Sequence, residues 1–196
     1  MPSWLPFGTS EDSLTGIVAA AALSASLALR VLKNVLAVAA RKHDSARLRE
    51  LMEAVGETAG RLVELAAEDG ATYAAYMQAR RQRSPEVQAA LRRAIESPLS
   101  VARAADGGIE LCLKAASYTR GAIAADVAGA AAVLAGAVRA TVCTLDANLR
   151  VVEDQAFASA TGAEKQMLEM HAIRQAEAVV TAVKTASNSE RQLPPA

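Results

Sequence analysis

Aromatic residues, cysteine and histidine are scarce in this chain of 196 residues. Phe, Trp and Tyr together make up 3% of it, so few side chains are available to stack on a ring-shaped ligand. Cys112 and Cys143 are too few for a metal motif, and their spacing alone predicts no disulfide. His43 and His171 lack the paired spacing of a zinc site. We therefore expect no bound metal and no tightly bound cofactor.

The chain also lacks a net charge. Its 21 basic residues balance 21 acidic ones. Nucleic-acid binding needs an excess of positive charge that displaces counterions from phosphates, so we expect no nucleic-acid partner.

No signal peptide is evident in residues 1–12, which lack a basic segment followed by an apolar one. The apolar run from Leu14 to Ala40 is long enough to suggest a membrane span, but Arg30 and Lys33 interrupt it. A buried helix of a soluble protein fits this run better. We expect a cytoplasmic location and no membrane partner.

Hydrophobic periodicity predicts helices and no strands. A chain of this length that is 52% hydrophobic can bury one core, so we predict an all-α single domain of about five to six helices. The domain is predicted over residues 13–188, between an N-terminal extension (1–12) and a disordered tail (189–196). The predicted helices run from Ser13 to Lys42, from an N-cap at Asp44 or Ser45 to Arg81, from Ser84 onward with a kink or break at Pro98, from Asp106-Gly107-Gly108 to Ser117, from Gly121 to Leu149, and from Glu153 to Asn188.

One carboxylate lies in the most apolar stretch, from Ala124 to Leu134, where Asp126 has no evident solvent-facing side. Burying an unpaired carboxylate is costly, so such a group is retained when partners or a ligand compensate. Thr144 lies eighteen residues further on, about five helical turns, and Asn148 lies about 40° from it around the helix. We therefore predict that Asp126 is buried and shares one helical face with Thr144 and Asn148.

A second acid, Asp69, lies on the predicted core face of the second helix, where the pattern calls for an apolar residue. The stripe advances by threes and fours through Leu48, Met52, Val55, Ala59, Leu62, Ala66, Asp69 and Tyr73. Two interpretations stay open at this point. The acids are either structural, paired with basic or backbone donors, or they line one water-accessible cavity as a functional pair.

Three segments carry a family likeness. They are the helix with Asp126, Ala130, Arg139, Thr144 and Asn148, the segment 68–77, and the turn 94–99 with its Ala-x-x-x-Pro-Leu pattern. Together they resemble the cyclodeaminase/cyclohydrolase family, which includes the cyclodeaminase domain of formiminotransferase-cyclodeaminase and bacterial methenyltetrahydrofolate cyclohydrolases. The resemblance spans about Ser13 to Phe157. It implies a homodimer with active sites near the subunit interface, and a tetrahydrofolate derivative as the small-molecule substrate.

The resemblance also implies substrate-binding residues. Asn148 would position water or a substrate carbonyl, and Thr144 replaces the first asparagine of the family's Asn-x-x-x-Asn pair. Asn34 matches a family position. Lys42 is the one lysine left at the family's lysine cluster. It is either a surface residue or a functional one. Lys42 and Lys33 are both candidates for a proton donor or for a ligand of a substrate carboxylate.

Tyr73 would stack on a pterin-like ring, unless it packs in the core as helical tyrosines often do. The family's glycine loop is replaced here by Ser13-Leu14-Thr15-Gly16.

Both reactions of the family attack a C–N carbon with positive character and need a proton acceptor beside it. Asp126 is assigned as the acid/base, and Asp69 as the orienting or cation-stabilising group. Three functions stay open: a folate one-carbon enzyme, the same chemistry on a non-folate imine or amidine because the loop has gained side chains, and a non-catalytic helical interaction module.

Overall fold

Five helices joined by short turns make up the part of the chain that the computed structural model describes. That part comprises the backbone of residues 16–191 and the side chains of residues 16–186. The helices are α1 (Ile17–Ala40), α2 (Ala46–Arg81), α3 (Val87–Ala116), α4 (Ala122–Leu149) and α5 (Gln155–Arg191). No strand occurs within these residues, so the all-α prediction is confirmed. The predicted extension (1–12) and residues 192–196 of the predicted tail lie outside the described residues.

Short connections make successive helices antiparallel, and cross-helix hydrogen bonds fix their register. Ser26 Oγ on α1 donates to the Ala59 carbonyl on α2 at 2.8 Å. Gln88 Nε2 near the start of α3 donates to the Val151 carbonyl just after α4 at 3.3 Å. Helices α1 and α3 each contact both α2 and α4, whereas α2 and α4 make no direct contact among the described residues. Helix α5 packs on α3 and α4.

Two predicted helix starts, at Ser45 and Gly121, are confirmed, whereas the predicted start at Ser84 is wrong. Helix α3 begins at Val87, and Ser84 Oγ accepts from the Glu86 N–H at 3.2 Å in the turn before it. Ser45 is the N-cap of α2, and its Oγ accepts a hydrogen bond from the Leu48 N–H at 3.2 Å. Gly121 precedes α4 with φ 61°, a conformation that glycine adopts without strain. Asp154 precedes α5, and its Oδ1 accepts from the Phe157 N–H at 3.0 Å.

The third helix is not interrupted: the predicted break at Pro98, which was the alternative to a kink, and the predicted interruption at Asp106-Gly107-Gly108 are both wrong. Helix α3 is continuous through Pro98 and through Gly107 and Gly108. Pro98 is buried, so packing compensates for the backbone hydrogen bond that its ring removes. Gly108 serves close packing rather than a turn, because a Cβ placed there would lie 3.0 Å from Leu134 Cδ2 on α4.

Helices α1 and α4 are each long and apolar enough to cross a membrane by length and composition. In each, half of the apolar window is buried inside the bundle, where Leu29, Leu32, Leu36, Leu134 and Leu145 are fully enclosed. Their buried halves therefore form the core of the bundle, and their other halves supply an apolar surface that the single chain leaves open.

Candidate active site

Asp69 lies where three helices meet near one end of the bundle. It projects from α2 toward α3, and Ser97 Oγ donates to its Oδ1 at 3.2 Å. A Cβ placed on Gly16, the N-cap of α1, would lie 4.0 Å from its Oδ2. The carboxylate is half-buried, in agreement with its position on the predicted core face.

Burial raises the pKa of the Asp69 carboxyl above its ordinary value, and the hydrogen bond from Ser97 partly offsets that effect. The neighbouring end of α1 favours the opposite charge state, because a helix N-terminus carries partial positive charge. This end has no side-chain cap and no acidic residue in its first turn. Asp69 thus combines a weakened acidity with an anion-stabilising neighbour, which suits a group that gains and loses a proton.

Tyr73 follows Asp69 by one helical turn and lies on the same side of α2. Its side chain is 53% exposed, so the alternative that it packs in the core is wrong. Tyr76, in contrast, is 7% exposed and belongs to the core. Tyr73 therefore offers an open ring face beside the half-buried carboxylate. The predicted loop residues Ser13, Leu14 and Thr15 lie outside the described residues.

The prediction that Asp126 is buried is wrong for the single chain, since its side chain is exposed. Helix α4 buries one face, with Val127, Ala131, Leu134 and Val138, and leaves the opposite face open. That open face consists of small and apolar residues around the carboxylate. Apolar composition on all sides of a helix therefore does not imply that every side is covered by its own chain.

Asp126 lies in an open groove between α1 and α4 with a volume of 490 Å³. The groove is lined almost entirely by apolar side chains and helix backbone. Its lining consists of Ser24, Leu27, Ala28, Val31, Ala125, Asp126, Gly129, Ala130 and Val133. Leu27, Val31 and Val133 are 63%, 41% and 44% exposed, respectively, so this face presents large apolar side chains to solvent.

Within one chain the two acids do not share a cavity. Asp69 faces Gly16, whereas Asp126 faces the middle of α1 around Leu27, eleven residues or ~16 Å further along the helix. Asp69 is not among the residues that line the groove. The common cavity, one of the two interpretations left open by the sequence, is therefore not formed by the single chain.

Asp126, Thr144 and Asn148 all lie on α4, but they are far apart along its axis. Eighteen residues along α4 separate Asp126 from Thr144 by ~27 Å, and Asn148 lies another turn away. Both are half-buried near the end of α4. Because α4 runs antiparallel to α1, this is the end of the bundle where α1 begins. Thr144 Oγ1 donates to the Thr141 carbonyl at 2.7 Å, so its hydroxyl proton is engaged within α4.

Lys42 and Asn34 lie away from Asp69. Lys42 is exposed in the turn after α1, at the opposite end of a 24-residue helix that is ~36 Å long. Asn34 is exposed on α1, near Val31 and Val38. The proposed site residues therefore form two groups in one chain. One group lies toward the end of the bundle where α1 begins and consists of Asp69, Tyr73, Thr144 and Asn148. The other group lies between the middle of the bundle and the end where α1 ends, and consists of Asp126, Asn34 and Lys42.

Ser97 was not singled out from the sequence. Its role follows from the hairpin of α2 and α3, in which Asp69 and Ser97 are equally distant from the turn at Arg83 and therefore face each other. Ser97 could have been identified from the sequence by this equal spacing from Arg83, provided that the position of the turn was known.

A second pairing of an acid, between Asp106 and His171, was also not predicted from the sequence. His171 Nδ1 on α5 lies 2.8 Å from an Asp106 carboxylate oxygen on α3. Burial raises the pKa of Asp106, and the neighbouring His171 works against that rise. Among the residues with described side chains, no group of three or more His, Cys, Asp or Glu is arranged to hold a metal ion.

The fold and the site define an all-α bundle with a half-buried carboxylate at the meeting point of α1, α2 and α3. Formiminotetrahydrofolate cyclodeaminase from Thermotoga maritima, a crystal structure, shares this fold with a TM-score of 0.79. The match covers 90% of this chain and 91% of that one, at 19% sequence identity. No sequence among curated proteins matches the chain.

The sequence model of the formiminotransferase-cyclodeaminase family matches residues 10–167, which is most of the chain. The chain belongs to the formiminotransferase-cyclodeaminase family, as the motifs around Asp69, Pro98 and Asp126 indicated.

Proposed function

We propose that this protein is a cyclodeaminase/cyclohydrolase-type enzyme that acts on an electrophilic C–N carbon. The first substrates to test are 5,10-methenyltetrahydrofolate and formiminotetrahydrofolate. The observation that carries the proposal is Asp69, a half-buried carboxylate with a raised pKa, a hydrogen bond from the Ser97 hydroxyl and an exposed tyrosine beside it. Membership of the family supports the choice of substrate class.

In this proposal Asp69, rather than Asp126, accepts the proton. In the hydrolysis of a methenyl bridge, water adds to the cationic carbon and its proton passes to the carboxylate; one C–N bond then breaks as that nitrogen is protonated. In the deamination, the substrate's own amine attacks and ammonia leaves. Desolvation suits Asp69 to this role because it raises the pKa of the carboxyl toward the pH at which the group must exchange a proton.

The other residues take supporting roles. Ser97 holds the carboxylate in position and keeps one oxygen engaged, which leaves the second oxygen for the reacting proton. Tyr73 offers a ring face for the planar part of the substrate. Asn148 and Thr144 lie at the same end of the bundle and would orient water or a substrate carbonyl. No metal or tightly bound cofactor is needed for these steps.

We further propose that the groove face of α1 and α4 is covered by a second copy of the chain. Exposed Leu27, Val31 and Val133 are costly to leave in water, and the small residues Gly129 and Gly136 allow another helix to approach closely. Asp126 lies on this face, so its burial would depend on contacts with the partner.

A two-fold axis across the middle of α1 would also join the two groups of site residues. Gly16 and Lys42 lie equally far from the centre of α1, at residue 29. An axis perpendicular to the helix at that point brings Lys42 to the level of the partner subunit's Gly16, next to which Asp69 lies. In such a dimer, residues ~36 Å apart in one chain would lie at the same level and would contribute to one site.

A second candidate function keeps the same chemistry on a non-folate imine or amidine. It is favoured by Ser13, Leu14 and Thr15, which carry side chains directly before the Gly16 that lies against Asp69. A glycine loop carries no side chains at these positions, so the difference in sequence favours a changed substrate.

The test is incubation of the purified protein with 5,10-methenyltetrahydrofolate, followed by near-ultraviolet absorbance, alongside an ammonia-release assay with the formimino substrate. Turnover that Asp69→Asn abolishes supports the folate enzyme. If the protein neither binds nor turns over any reduced folate, the hypothesis of a folate substrate is wrong. A homodimer without any such activity would leave the interaction module as the better description.

A further inference from the structure

A second concave site lies on another side of α1, where it packs against α2. Its volume is 250 Å³. Basic side chains of α1 line one wall, and the glycines of α2 form the other. The lining consists of Leu29, Arg30, Lys33, Gly56, Ala59 and Gly60. None of these residues lines the groove that contains Asp126.

Two cations meet at this site without an acidic partner. Arg30 and Lys33 lie three residues apart and are therefore neighbours on the surface of α1, where like charges repel. Both are exposed, and neither takes part in an ion pair among the described residues. Glu53 and Glu57 lie along the same stretch of α2 but form no ion pair with them. Among the described residues, therefore, no carboxylate lies within ion-pair distance of Arg30 or Lys33.

The ammonium group of Lys33 lies over the backbone of α2, in space that the absence of a side chain at Gly56 leaves open. A Cβ placed on Gly56 would lie 2.7 Å from Lys33 Nζ and 3.6 Å from its Cε. Any side chain at this position would therefore displace the ammonium group. Glycine is less favourable than alanine inside a helix. Gly56 therefore lowers the stability of α2 but leaves space for the Lys33 ammonium group.

Gly60 follows Gly56 by one helical turn and keeps the site open. Nothing lies within 4 Å of a Cβ placed on it, so alanine would fit without a clash. Helix propensity alone would favour alanine here. The glycine instead leaves the floor of the concavity clear beside the two cations.

We propose that this concavity binds an oxyanionic group of a small molecule, a carboxylate or a phosphate. Arg30 supplies a planar fork of donors that matches either group, and Lys33 supplies an ammonium group fixed over Gly56. The volume suits a small anion rather than a large ligand. This inference goes beyond the proposed enzyme activity, because Asp69, Ser97 and Tyr73, on which that activity is argued, do not line the concavity.

The test is a titration of the ¹⁵N-labelled full chain with inorganic phosphate and, separately, with succinate, in buffer of low chloride concentration. We expect saturable shifts of the Gly56 and Gly60 amide signals with at least one of the two, and the tighter ligand identifies the oxyanion. Arg30→Gln and Lys33→Gln should each weaken binding about tenfold, as the loss of a charge-assisted hydrogen bond predicts. Arg93→Gln, an exposed cation on α3 without an ion pair among the described residues, is the matched control and should bind as the parent does.

Gly56→Ala separates binding from stability. It should raise the melting temperature, because alanine favours the helix, and still weaken binding, because it displaces the Lys33 ammonium group. Gly162→Ala in α5, where a Cβ would have no neighbour within 4 Å, should raise the melting temperature and leave binding unchanged. Absence of saturable shifts with both anions would overturn the proposal, and so would shifts that Lys33→Gln and Gly56→Ala leave unaltered.

Discussion

Ser97 Oγ on α3 donates a 3.2 Å hydrogen bond to Asp69 Oδ1 on α2, and so ties a half-buried carboxylate to a neighbouring helix beside the start of α1. The bond favours the ionised carboxylate, whereas burial favours the neutral one. The balance between these two effects sets the acidity of the proposed proton acceptor, and it can be shifted experimentally from either side.

Asp69→Asn should keep the fold and lower turnover of the active substrate by about 10²–10⁴-fold, the usual contribution of a general base. The side chains have the same shape, and the asparagine carbonyl can still accept from Ser97. The measurement is kcat together with the circular dichroism spectrum. Asp126→Asn is the informative comparison, since equal losses in both variants would contradict the assignment of the base to Asp69.

Ser97→Ala should shift the acid limb of the pH–kcat profile to higher pH. Removing the donor leaves desolvation unopposed, so the pKa of Asp69 rises further and the carboxylate form is reached later. The profile is recorded for the parent and for Ser117→Ala, an exposed serine at the end of α3. An unchanged acid limb in Ser97→Ala would show that another group controls it.

The raised pKa of Asp69 also predicts a pH-dependent stability. In the window between the unfolded value near 3.8 and the higher folded value, the folded state holds a proton that the unfolded state has released. The free energy of unfolding therefore falls as pH rises through this window and stays lower above it. Asp69→Asn should be more stable than the parent at pH 7, with a smaller gain below pH 3.8, in urea denaturation. Glu50→Gln, an exposed acid on the same helix, should show no such difference.

The proposed dimer predicts complementation between two inactive variants. Asp69→Asn and Lys42→Gln homodimers should both be inactive, while a mixture that exchanges subunits should recover about a quarter of the parent activity, since half of the dimers carry one intact site. Activity is followed after mixing at concentrations that permit exchange. Full activity of Lys42→Gln alone would identify Lys42 as a surface residue.

Leu27→Glu should convert the dimer to a 20 kDa species in sedimentation velocity, because a charge at the centre of an apolar interface has no partner. Val63→Glu is the control, since Val63 is 40% exposed on α2, away from the groove face. A parent protein that sediments as a monomer at micromolar concentration would contradict the dimer directly.

The ends of the helices were predictable because they depend on local chemistry. Ser45 caps α2 through its own hydroxyl, and Gly121 opens α4 with a positive φ, so each signal acts within a few residues of itself. The same local rules failed at Pro98 and Gly108. There the neighbouring helices compensate for one lost hydrogen bond and use the missing side chain for close packing, and neither effect is visible in a short stretch of sequence.

The sequence by itself determined the helical class, the family and the two acids worth testing. Hydrophobic periodicity, helix caps and motifs depend on residues that are close together in the sequence. Only the tertiary structure decided that Asp69 is half-buried and Asp126 is exposed. A helical period gives the angle of a residue around its axis, but it does not tell which angle another helix covers or how far apart two residues on one face lie. Burial and distance depend on the packing of α1, α2 and α3 around Asp69, and that packing is a property of the whole bundle.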